Sequence, residues 1–405
     1  MLIVQKYGGT SVANLERIRA VGDRVIKEYK KGTRLVVVLS AQAGETEHLL
    51  GLAREITKDP DPRECDHLVA VGEQKTIALL ALYLKSKKIP AISLNALQIP
   101  ILTDEHHGRA RIQTIALGRI QSELKNKKVV VVSGFQGVTK NGDIATLGRG
   151  GSDTSAVALA AALKADVCEI YTDVDGVYTA DPRVVPSPKL LKKISYEEML
   201  ELADSGAKVL QTRSVEMAAK HKVPLTVRSS FNETPGTQVI AEDASLDKIL
   251  VAGCTLNIKE AKVSVSRIPK AKGVMAKFFA PLAKAGINVD MIVENLSDDG
   301  NTDLAFTVPK DDLRATLRLI EPVAKKLGAA KVEAAADIAK ISLVGLGMRS
   351  HPGVAYNIFQ TVDELGIPIQ MVTTSEIKVS FVVAQDQAQK VVRALHKSFG
   401  LDVSE

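Results

Sequence analysis

The sequence lacks several features on which whole classes of protein depend. It contains no Trp and only 4% aromatic residues, too few to build a base-stacking surface for nucleic acid. Glycine and proline, with 28 and 15 residues, are too rare for a collagen-like or low-complexity chain. No apolar run approaches the ~18 residues that a membrane helix needs. The 405 residues, 45% hydrophobic and 25% charged, instead indicate roughly two to three globular domains.

Cysteine is also scarce. Cys65, Cys168 and Cys254 are far apart, without a CxxC pair or a histidine at metal-ligand spacing. We therefore expect free thiols, no metal site built by the protein, and a cytoplasmic protein, since residues 1–6 reach a charge too early for a signal peptide. The net charge of +6 fits anionic ligands without requiring them, because the basic clusters lie at expected helix ends. Neither a nucleic-acid nor a membrane partner is indicated.

Strand-like and helix-like segments alternate over residues 1–242. Continuous β-branched runs are typical of strands covered on both faces, and their alternation with helices predicts a three-layer α/β/α domain with a mostly parallel sheet. In such sheets ligands bind at the carboxyl ends of the strands. The predicted strands are Leu2–Gln5, Leu35–Leu39, Val129–Val132 and Val167–Tyr171, and the helices include Asn14–Lys30, Arg63–Lys85 and Ser152–Leu163.

The remainder of the chain contains an internal repeat. Gly273 recurs 80 residues later as Gly353, and Gly286 recurs as Gly366, in similar flanking sequence. Each copy reads strand, glycine-started helix, strand, strand, helix, which predicts two ferredoxin-like βαββαβ domains. Two small domains behind an α/β domain suggest a ligand-sensing appendage.

Polar residues follow the first two strands. Lys6 and the Gly8-Gly9 pair precede a helix, where a backbone can approach a phosphate, although a glycine pair alone is more often a tight turn. Ser40 and Thr46 suit a carboxylate or phosphate, or simply cap a helix.

Two further signals concern buried charge and arginine. Glu73 lies in a largely apolar helix, and because an unpaired buried carboxylate is costly we expect it to face a cleft. Capping explains Ser152 or Asp153, but not Arg149 on a glycine loop at a helix N-terminus, where a guanidinium suits bidentate capture of a carboxylate or phosphate. The segment reads Thr146-Leu147-Gly148-Arg149-Gly150-Gly151-Ser152-Asp153-Thr154.

The loop after the fourth strand carries three aspartates and an arginine. It lacks the spacing and the final Glu of a calcium-binding EF-hand, and its tyrosine, carboxylates and arginine fit a nucleotide better. The loop reads Thr172-Asp173-Val174-Asp175-Gly176-Val177-Tyr178-Thr179-Ala180-Asp181-Pro182-Arg183.

In this order and spacing, these segments resemble the aspartate kinases (aspartokinases) of the amino acid kinase superfamily, in the bacterial form with two C-terminal ACT domains. The likeness extends over essentially the whole chain and includes Phe135-Gln136-Gly137 and Gly206-Ala207-Lys208-Val209-Leu210. It implies transfer of the ATP γ-phosphoryl group to the side chain of L-aspartate, the entry step toward lysine, threonine, methionine and diaminopimelate. Mg²⁺ would be bound mainly by ATP and water.

The resemblance also implies residue roles. Lys6 with the Gly8 and Gly9 amides would stabilise the transferring phosphoryl group, and Asp153 would orient Lys6. Arg149 would bind a carboxylate of aspartate and Glu73 its ammonium. The other implied substrate ligands are Ser40, Thr46, Gly150, Gly151, Ser152 and Asp153, and the other implied nucleotide ligands are Tyr7, Thr172, Asp173, Tyr178, Thr179, Ala180, Asp181, Pro182, Arg183 and Lys208.

For the C-terminal half, the resemblance implies an effector site and a homodimer or higher oligomer formed through the ACT domains. Lysine and/or threonine are the implied effectors. The implied domains are a kinase domain over 1–242, a first ACT domain over 262–336, and a second over 249–258 and 340–405. The implied regulatory residues are Met275, Asn288, Asp290, Glu294, Val354, Ala355, Pro368, Ile369, Ser375 and Glu376.

The effector site is where the sequence departs most from this family. Lys270-Ala271-Lys272-Gly273 replaces an Asp-x-Pro-Gly turn, which places cations near an effector's ammonium. Pro368 has no N–H to offer a ligand carboxylate. We therefore expect weak or altered feedback inhibition by lysine or threonine.

Two alternatives remain open at the level of sequence. One is a sensor of nucleotides or amino acids whose kinase half is degenerate, and the other is a superfamily kinase that acts on glutamate. An ADP-release assay with aspartate separates the first from an enzyme, and comparison of aspartate with glutamate separates the second.

Overall fold

The structure is a computed structural model that describes residues 1–207, 209–242, 250–269, 272–296 and 300–402. No helix within these ranges is both long enough and apolar enough to cross a membrane. The chain forms two compact units. The first comprises residues 1–177, 190–203 and 208–246, and the second comprises 178–189, 204–207 and 247–405.

The first unit is built on an eight-stranded sheet in the order β10-β12-β11-β9-β1-β2-β6-β3. All neighbouring pairs are parallel except β11 and β12. The strands of this unit are β1 (Leu2–Tyr7), β2 (Arg34–Leu39), β3 (Ala91–Leu94), β4 (Ile101–Thr103), β5 (Ile112–Ile115), β6 (Val129–Ser133), β7 (Gln136–Val138), β8 (Ile144–Thr146), β9 (Val167–Thr172), β10 (Lys193–Ser195), β11 (Leu225–Ser229) and β12 (Thr237–Ile240).

Helices cover both faces of the central strands, which confirms the predicted three-layer architecture. Apolar residues of α1 and α4 pack on one face, and α6 packs on the other, where Gly151–Ala160 are all buried. The helices are α1 (Leu15–Tyr29), α2 (Glu45–Ile56), α3 (Pro62–Val69), α4 (Val71–Ser86), α5 (Gly118–Lys125), α6 (Gly151–Leu163), α7 (Tyr196–Asp204) and α8 (Thr212–His221).

The single helix predicted over Arg63–Lys85 is wrong, because the structure divides it into α3 and α4 at Ala70. The carbonyl oxygen of Ala70 accepts a hydrogen bond from Gln136 Nε2 at 3.1 Å, so the backbone there serves a tertiary contact. A second sheet, in the order β5-β4-β7-β8, was also not predicted.

The second unit contains two four-stranded antiparallel sheets, in the orders β15-β16-β14-β17 and β13-β18-β20-β19. Each sheet with its two helices is one ferredoxin-like repeat, as the sequence predicts. The strands are β13 (Gly253–Asn257), β14 (Glu260–Pro269), β15 (Ile292–Leu296), β16 (Asn301–Pro309), β17 (Lys331–Ala335), β18 (Ile338–Val344), β19 (Met371–Thr374) and β20 (Lys378–Ala384), and the helices are α9 (Val274–Lys284), α10 (Leu313–Leu327), α11 (Gly353–Glu364) and α12 (Ala388–Ser398).

The second repeat takes its outer strand from upstream of the first. β13 pairs antiparallel with β18, with Gly253 opposite Val344 and Asn257 opposite Lys340. β17 holds the equivalent place beside β14 in the first repeat. The predicted pairing of the strand around 249–258 with the second repeat is thus confirmed.

Candidate active site

Lys6 lies near the carboxyl end of β1, in the middle of the large sheet. Lys6 is only 8% exposed, and its Nζ lies 2.5 Å from Oδ1 of Asp153 in an ion pair. Asp153 belongs to the first turn of α6, which packs against the same strand. The sheet and the helix therefore hold an ammonium and its counterion together at the strand end.

The turn after β1 brings the two glycines to this ammonium, but they are not equivalent. The Gly8 N–H donates to the carbonyl of Tyr171 at 3.2 Å, so it is occupied by the backbone. The prediction that both glycine amides contact a phosphoryl group is therefore wrong for Gly8. A Cβ on Gly9 would lie 3.0 Å from the carbonyl oxygen of Ala41, so a larger residue would crowd the point where the two strand-end turns meet.

Arg149 is presented by a loop that only glycine can form. Gly148 and Gly150, on either side, have φ of +76° and +70°, in the left-handed region that other residues rarely adopt. A Cβ on Gly150 would lie 2.1 Å from Gln211. Arg149 is exposed, and its guanidinium makes no hydrogen bond or ion pair with any residue that the structure describes.

Glu73 is the buried carboxylate of the site. It lies in the first turn of α4 and is 2% exposed, and its Oε1 accepts the Ala41 N–H at 2.9 Å. Its Oε2 is buried without a hydrogen-bond partner among the described residues. Burial raises the pKa of this carboxyl to about 7, because desolvation penalises the charged form.

These groups line one cavity of about 350 Å³. The structure thus brings together all eight residues predicted to bind substrate, from three segments of the first unit. Ala41–Gly44, Phe135 and Gly148 were not predicted as site residues, although Phe135 was part of the resemblance, and its φ of +68° marks a strained backbone at the site. The lining residues are Lys6, Gly8, Gly9, Ser40, Ala41, Gln42, Ala43, Gly44, Thr46, Glu73, Phe135, Gly148, Arg149, Gly150, Gly151, Ser152 and Asp153.

The residues predicted to bind nucleotide are more dispersed. Tyr7 is fully buried and stacks on Tyr171, with ring centroids 4.6 Å apart, so of Tyr7 only the backbone is left for the predicted contact with ATP. Thr172 is the last residue of β9 and Asp173 follows it, at the carboxyl edge of the sheet, but neither residue lines the cavity. Lys208 lies outside the described residues.

Residues 178–189 cluster with the second unit, although they fall within the predicted kinase domain over 1–242. The Thr179 hydroxyl lies 2.9 Å from His396 Nε2 and 2.9 Å from the Leu401 carbonyl, and Ala180 is part of that unit's core. The prediction of nucleotide contact therefore fails for these two side chains. Arg183 is exposed and ion-paired with Asp181 at 2.6 Å, close to Pro182.

The predicted regulatory residues are all described and lie in the second unit. Asp290 forms an ion pair with the buried Lys340, which joins the two repeats. Val354 is buried in the core of the second repeat, and Glu376 lies 3.4 Å from Arg349. The others are Met275, Asn288, Glu294, Ala355, Pro368, Ile369 and Ser375, all partly or fully exposed. Lys270 and Ala271 lie outside the described residues.

The chain is similar to known proteins over almost its whole length. Residues 1–229 match the amino acid kinase family, and residues 263–322 and 341–399 match an ACT domain. An aspartate kinase of Pseudomonas putida is 51% identical over 402 residues, covering 99% of this chain and 98% of that protein. E. coli aspartokinase III, solved with aspartate and ADP in its R-state, has a TM-score of 0.83 at 26% identity, covering 98% and 99% of the two chains. The same protein with lysine and aspartate in its T-state has a TM-score of 0.78 at 27% identity, with the same coverage. The chain therefore belongs to the aspartate kinase family, with an amino acid kinase domain followed by two ACT domains.

Proposed function

We propose that the protein transfers the γ-phosphoryl group of ATP to the side-chain carboxylate of L-aspartate, giving 4-phospho-L-aspartate and ADP. The product would enter the synthesis of lysine, threonine, methionine and diaminopimelate. The observation that carries the proposal is the cavity in which a free guanidinium, a half-paired buried carboxylate and an ion-paired lysine come together. The aspartate and ADP bound to the E. coli relative support the same pair of ligands.

The geometry suits an amino acid with two carboxylates. Arg149 would bind the α-carboxylate in bidentate fashion, and Glu73, through its free Oε2, would accept the ammonium. The side-chain carboxylate of aspartate, with a pKa of about 3.9, is already ionised at neutral pH and needs no general base. What the reaction needs is alignment of two anions and screening of their charge.

Lys6 would supply that screening at the transferring phosphoryl group. Its ion pair with Asp153 fixes the ammonium before substrate arrives, so little reorganisation is required during transfer. Because the Gly8 amide is occupied, we assign the backbone contribution to Gly9. Ser40, Thr46 and Ser152 would complete the polar lining around the substrate.

The nucleotide would be bound partly by Thr172 and Asp173, with Tyr178, Asp181, Pro182, Arg183 and Lys208 as further expected ligands. Among the described residues, no group of three or more His, Cys, Asp or Glu side chains is placed to hold a metal ion. Mg²⁺ entering with ATP would therefore be held chiefly by phosphate oxygens and water, as is usual for this ion, and would screen the phosphate charges.

The test is ADP release with L-aspartate and L-glutamate at equal concentration, with hydroxylamine present to trap an acyl phosphate as a hydroxamate. We expect aspartate-dependent ADP release with matching hydroxamate. Preference for glutamate would overturn the substrate assignment. Absence of turnover with both amino acids would favour the degenerate sensor.

We further propose that the second unit binds lysine or threonine and that the chain forms a homodimer or higher oligomer through its ACT domains. The lysine-bound E. coli relative supports an amino-acid effector. Lys272 is exposed two residues before α9, and Pro368 is exposed without an N–H, so we expect inhibition by lysine or threonine to be weak or altered in its preference. Calorimetry with each amino acid tests this, and sub-millimolar binding with strong inhibition would contradict it.

The domain limits that we propose are 1–242 for the kinase domain, 262–336 for the first ACT domain, and 249–258 with 340–405 for the second. Light scattering after gel filtration measures the oligomeric state, and a monomer at working concentration would refute association through the ACT domains.

A further inference from the structure

We propose that Asp66 is a positioning residue for the Arg149 loop. It lies outside the cavity and fixes the backbone from which the guanidinium reaches substrate. The proposal rests on the proposed function, in which Arg149 binds a carboxylate of aspartate.

Asp66 is a buried carboxylate that collects hydrogen bonds from two distant segments. It lies in α3 and is 2% exposed. Its oxygens accept the N–H of Gly108 at 2.9 Å, the N–H of Thr146 at 2.9 Å and the hydroxyl of Thr146 at 2.5 Å. His107 Nδ1 lies 2.9 Å from the same group. Four donors on one buried anion are a strong constraint, because hydrogen bonds to charged groups are the strongest in proteins.

These donors are placed where they control the Arg149 loop. Thr146 is the last residue of β8, three residues before Arg149. Gly108 belongs to the turn between β4 and β5, and its carbonyl oxygen lies 2.9 Å from where a Cβ on Gly148 would be. Asp66 therefore holds both the strand that leads into the loop and the turn on which the loop's first glycine packs.

The guanidinium of Arg213 binds carbonyl groups of the same two segments, and we call Asp66 and Arg213 together the clamp. Arg213, in α8, donates to the carbonyl oxygen of Leu147 at 2.6 Å and to that of Ala110 at 3.1 Å. Asp66 and Arg213 thus bind the N–H and the C=O groups, respectively, of the same two segments. Asp66 and Arg213 therefore both hold the backbone of the Arg149 loop.

The clamp matters because Arg149 has no other support. Its side chain contacts no hydrogen-bonding or ionic partner among the described residues, so its position follows from the loop backbone alone. Neither Asp66 nor Arg213 lines the cavity. Any influence on the reaction must therefore pass through the loop that they hold, and a positioning role through Arg149 would change the KM for aspartate in particular.

The first test is Asp66→Asn, which keeps the side chain's size but replaces one accepting oxygen by an NH₂ donor. We expect the KM for aspartate to rise about tenfold or more, as small displacements of a binding group do, while the KM for ATP changes little. Equal rises in both KM values, or a lower melting temperature with unchanged kinetics, would overturn the proposal.

The second test is a double-mutant cycle with Arg149→Ala. If Asp66 acts through Arg149, Asp66→Asn should have no further effect on the aspartate KM once the guanidinium is gone. Additive effects would refute the positioning role alone. An Arg149→Ala enzyme with an unchanged aspartate KM would refute the proposed role of Arg149 itself, and the positioning role with it.

Two variants keep the tests informative if Asp66→Asn folds poorly. Thr146→Val removes only the hydroxyl donor, so we expect a smaller rise, again confined to the aspartate KM. Glu198→Gln is the matched control, because Glu198, in α7, is also buried and accepts hydrogen bonds from the N–H and the hydroxyl of Ser195, the last residue of β10. We expect this control to lower stability without moving the aspartate KM. Failure of Thr146→Val to raise that KM, or a rise in the control, would contradict the proposal.

Discussion

The two edges of the eight-stranded sheet use lysine for opposite purposes. At the carboxyl edge, Lys6 is buried, ion-paired and part of a cavity. The amino edge carries four exposed lysines, each at or just beyond the end of a helix and with φ between +51° and +61°. They are Lys88, Lys127, Lys164 and Lys222. We propose a catalytic role for Lys6, whereas the other four lysines have a strained left-handed backbone.

The four amino-edge lysines share one backbone arrangement. The residue after each donates its N–H to the carbonyl five positions earlier, as Ala165 does to Ala160 at 2.9 Å and Val223 to Ala218 at 2.9 Å. This is the Schellman ending, which glycine usually forms. A cation gains from the helix dipole there, but an L-residue in the left-handed region loses more. Position in the sheet, not residue type, therefore decides what a lysine does.

The largest expected effect is at Lys6. Lys6→Ala removes a preorganised charge from the phosphoryl group, and we expect kcat to fall by roughly 10²–10³. Lys164→Ala, at the other edge, is the matched control and should turn over normally. Steady-state kinetics together with thermal melting separates lost chemistry from lost folding. Near-normal turnover of a folded Lys6→Ala enzyme would remove the distinction between the edges.

Next in size is Arg149→Lys, which keeps the charge and loses the bidentate fork. Loss of a charge-assisted hydrogen bond should raise the KM for aspartate by about 10- to 100-fold, with the KM for ATP nearly constant. Both constants are read from initial rates at saturating partner substrate. If they rise together, Arg149 contacts the phosphates instead.

A third prediction concerns pH and Glu73. Because burial raises the pKa of the Glu73 carboxyl to about 7, the ionised form that accepts an ammonium becomes rarer as the pH falls below that value. We expect the apparent affinity for aspartate to fall by up to about tenfold per pH unit below pH 7, and to level off above it. Glu73→Gln should bind weakly at every pH. A pH-independent wild-type affinity between pH 6 and 8 would contradict this role.

The smallest effect is expected at the amino edge. Lys164→Gly relieves about 1–2 kcal/mol of left-handed strain and loses about 0.3–1 kcal/mol of dipole interaction, so the protein should become slightly more stable. Lys164→Ala keeps the strain and loses the charge, so it should not be stabilised. Urea denaturation of the two variants measures the difference in their free energy of unfolding. Equal stability would show that Lys164 does not strain the native backbone.

The sequence located the strands well because their signal is local. The runs beginning at Leu2, Leu35, Val129 and Val167 are mostly apolar and largely buried, and their strands begin within one residue of the prediction. The glycines around Arg149 were equally informative, since an arginine between left-handed glycines has few structural explanations.

What the sequence could not show depends on distant partners. Asp66, in an ordinary amphipathic helix, receives its hydrogen bonds from residues about 40 and 80 positions away. The sequence also carries no sign that the Gly8 N–H donates a hydrogen bond to the carbonyl of Tyr171, which belongs to another strand. The placement of Thr179 and Ala180 in the second unit likewise follows from contacts with residues near the end of the chain.

The borrowed strand β13 has a consequence for how the C-terminal half tolerates cutting. A fragment beginning at Glu260 would retain the helices and remaining strands of both repeats, yet β18 would lose its neighbour along five residues. Its freed N–H and C=O groups would form an open sheet edge, which is a template for pairing with other chains. A fragment beginning at Leu250 would keep β18 paired and would end the sheet in β13, a shorter edge of five residues. We expect the shorter fragment to aggregate and the longer one to remain dispersed, although they differ by only ten residues at one end.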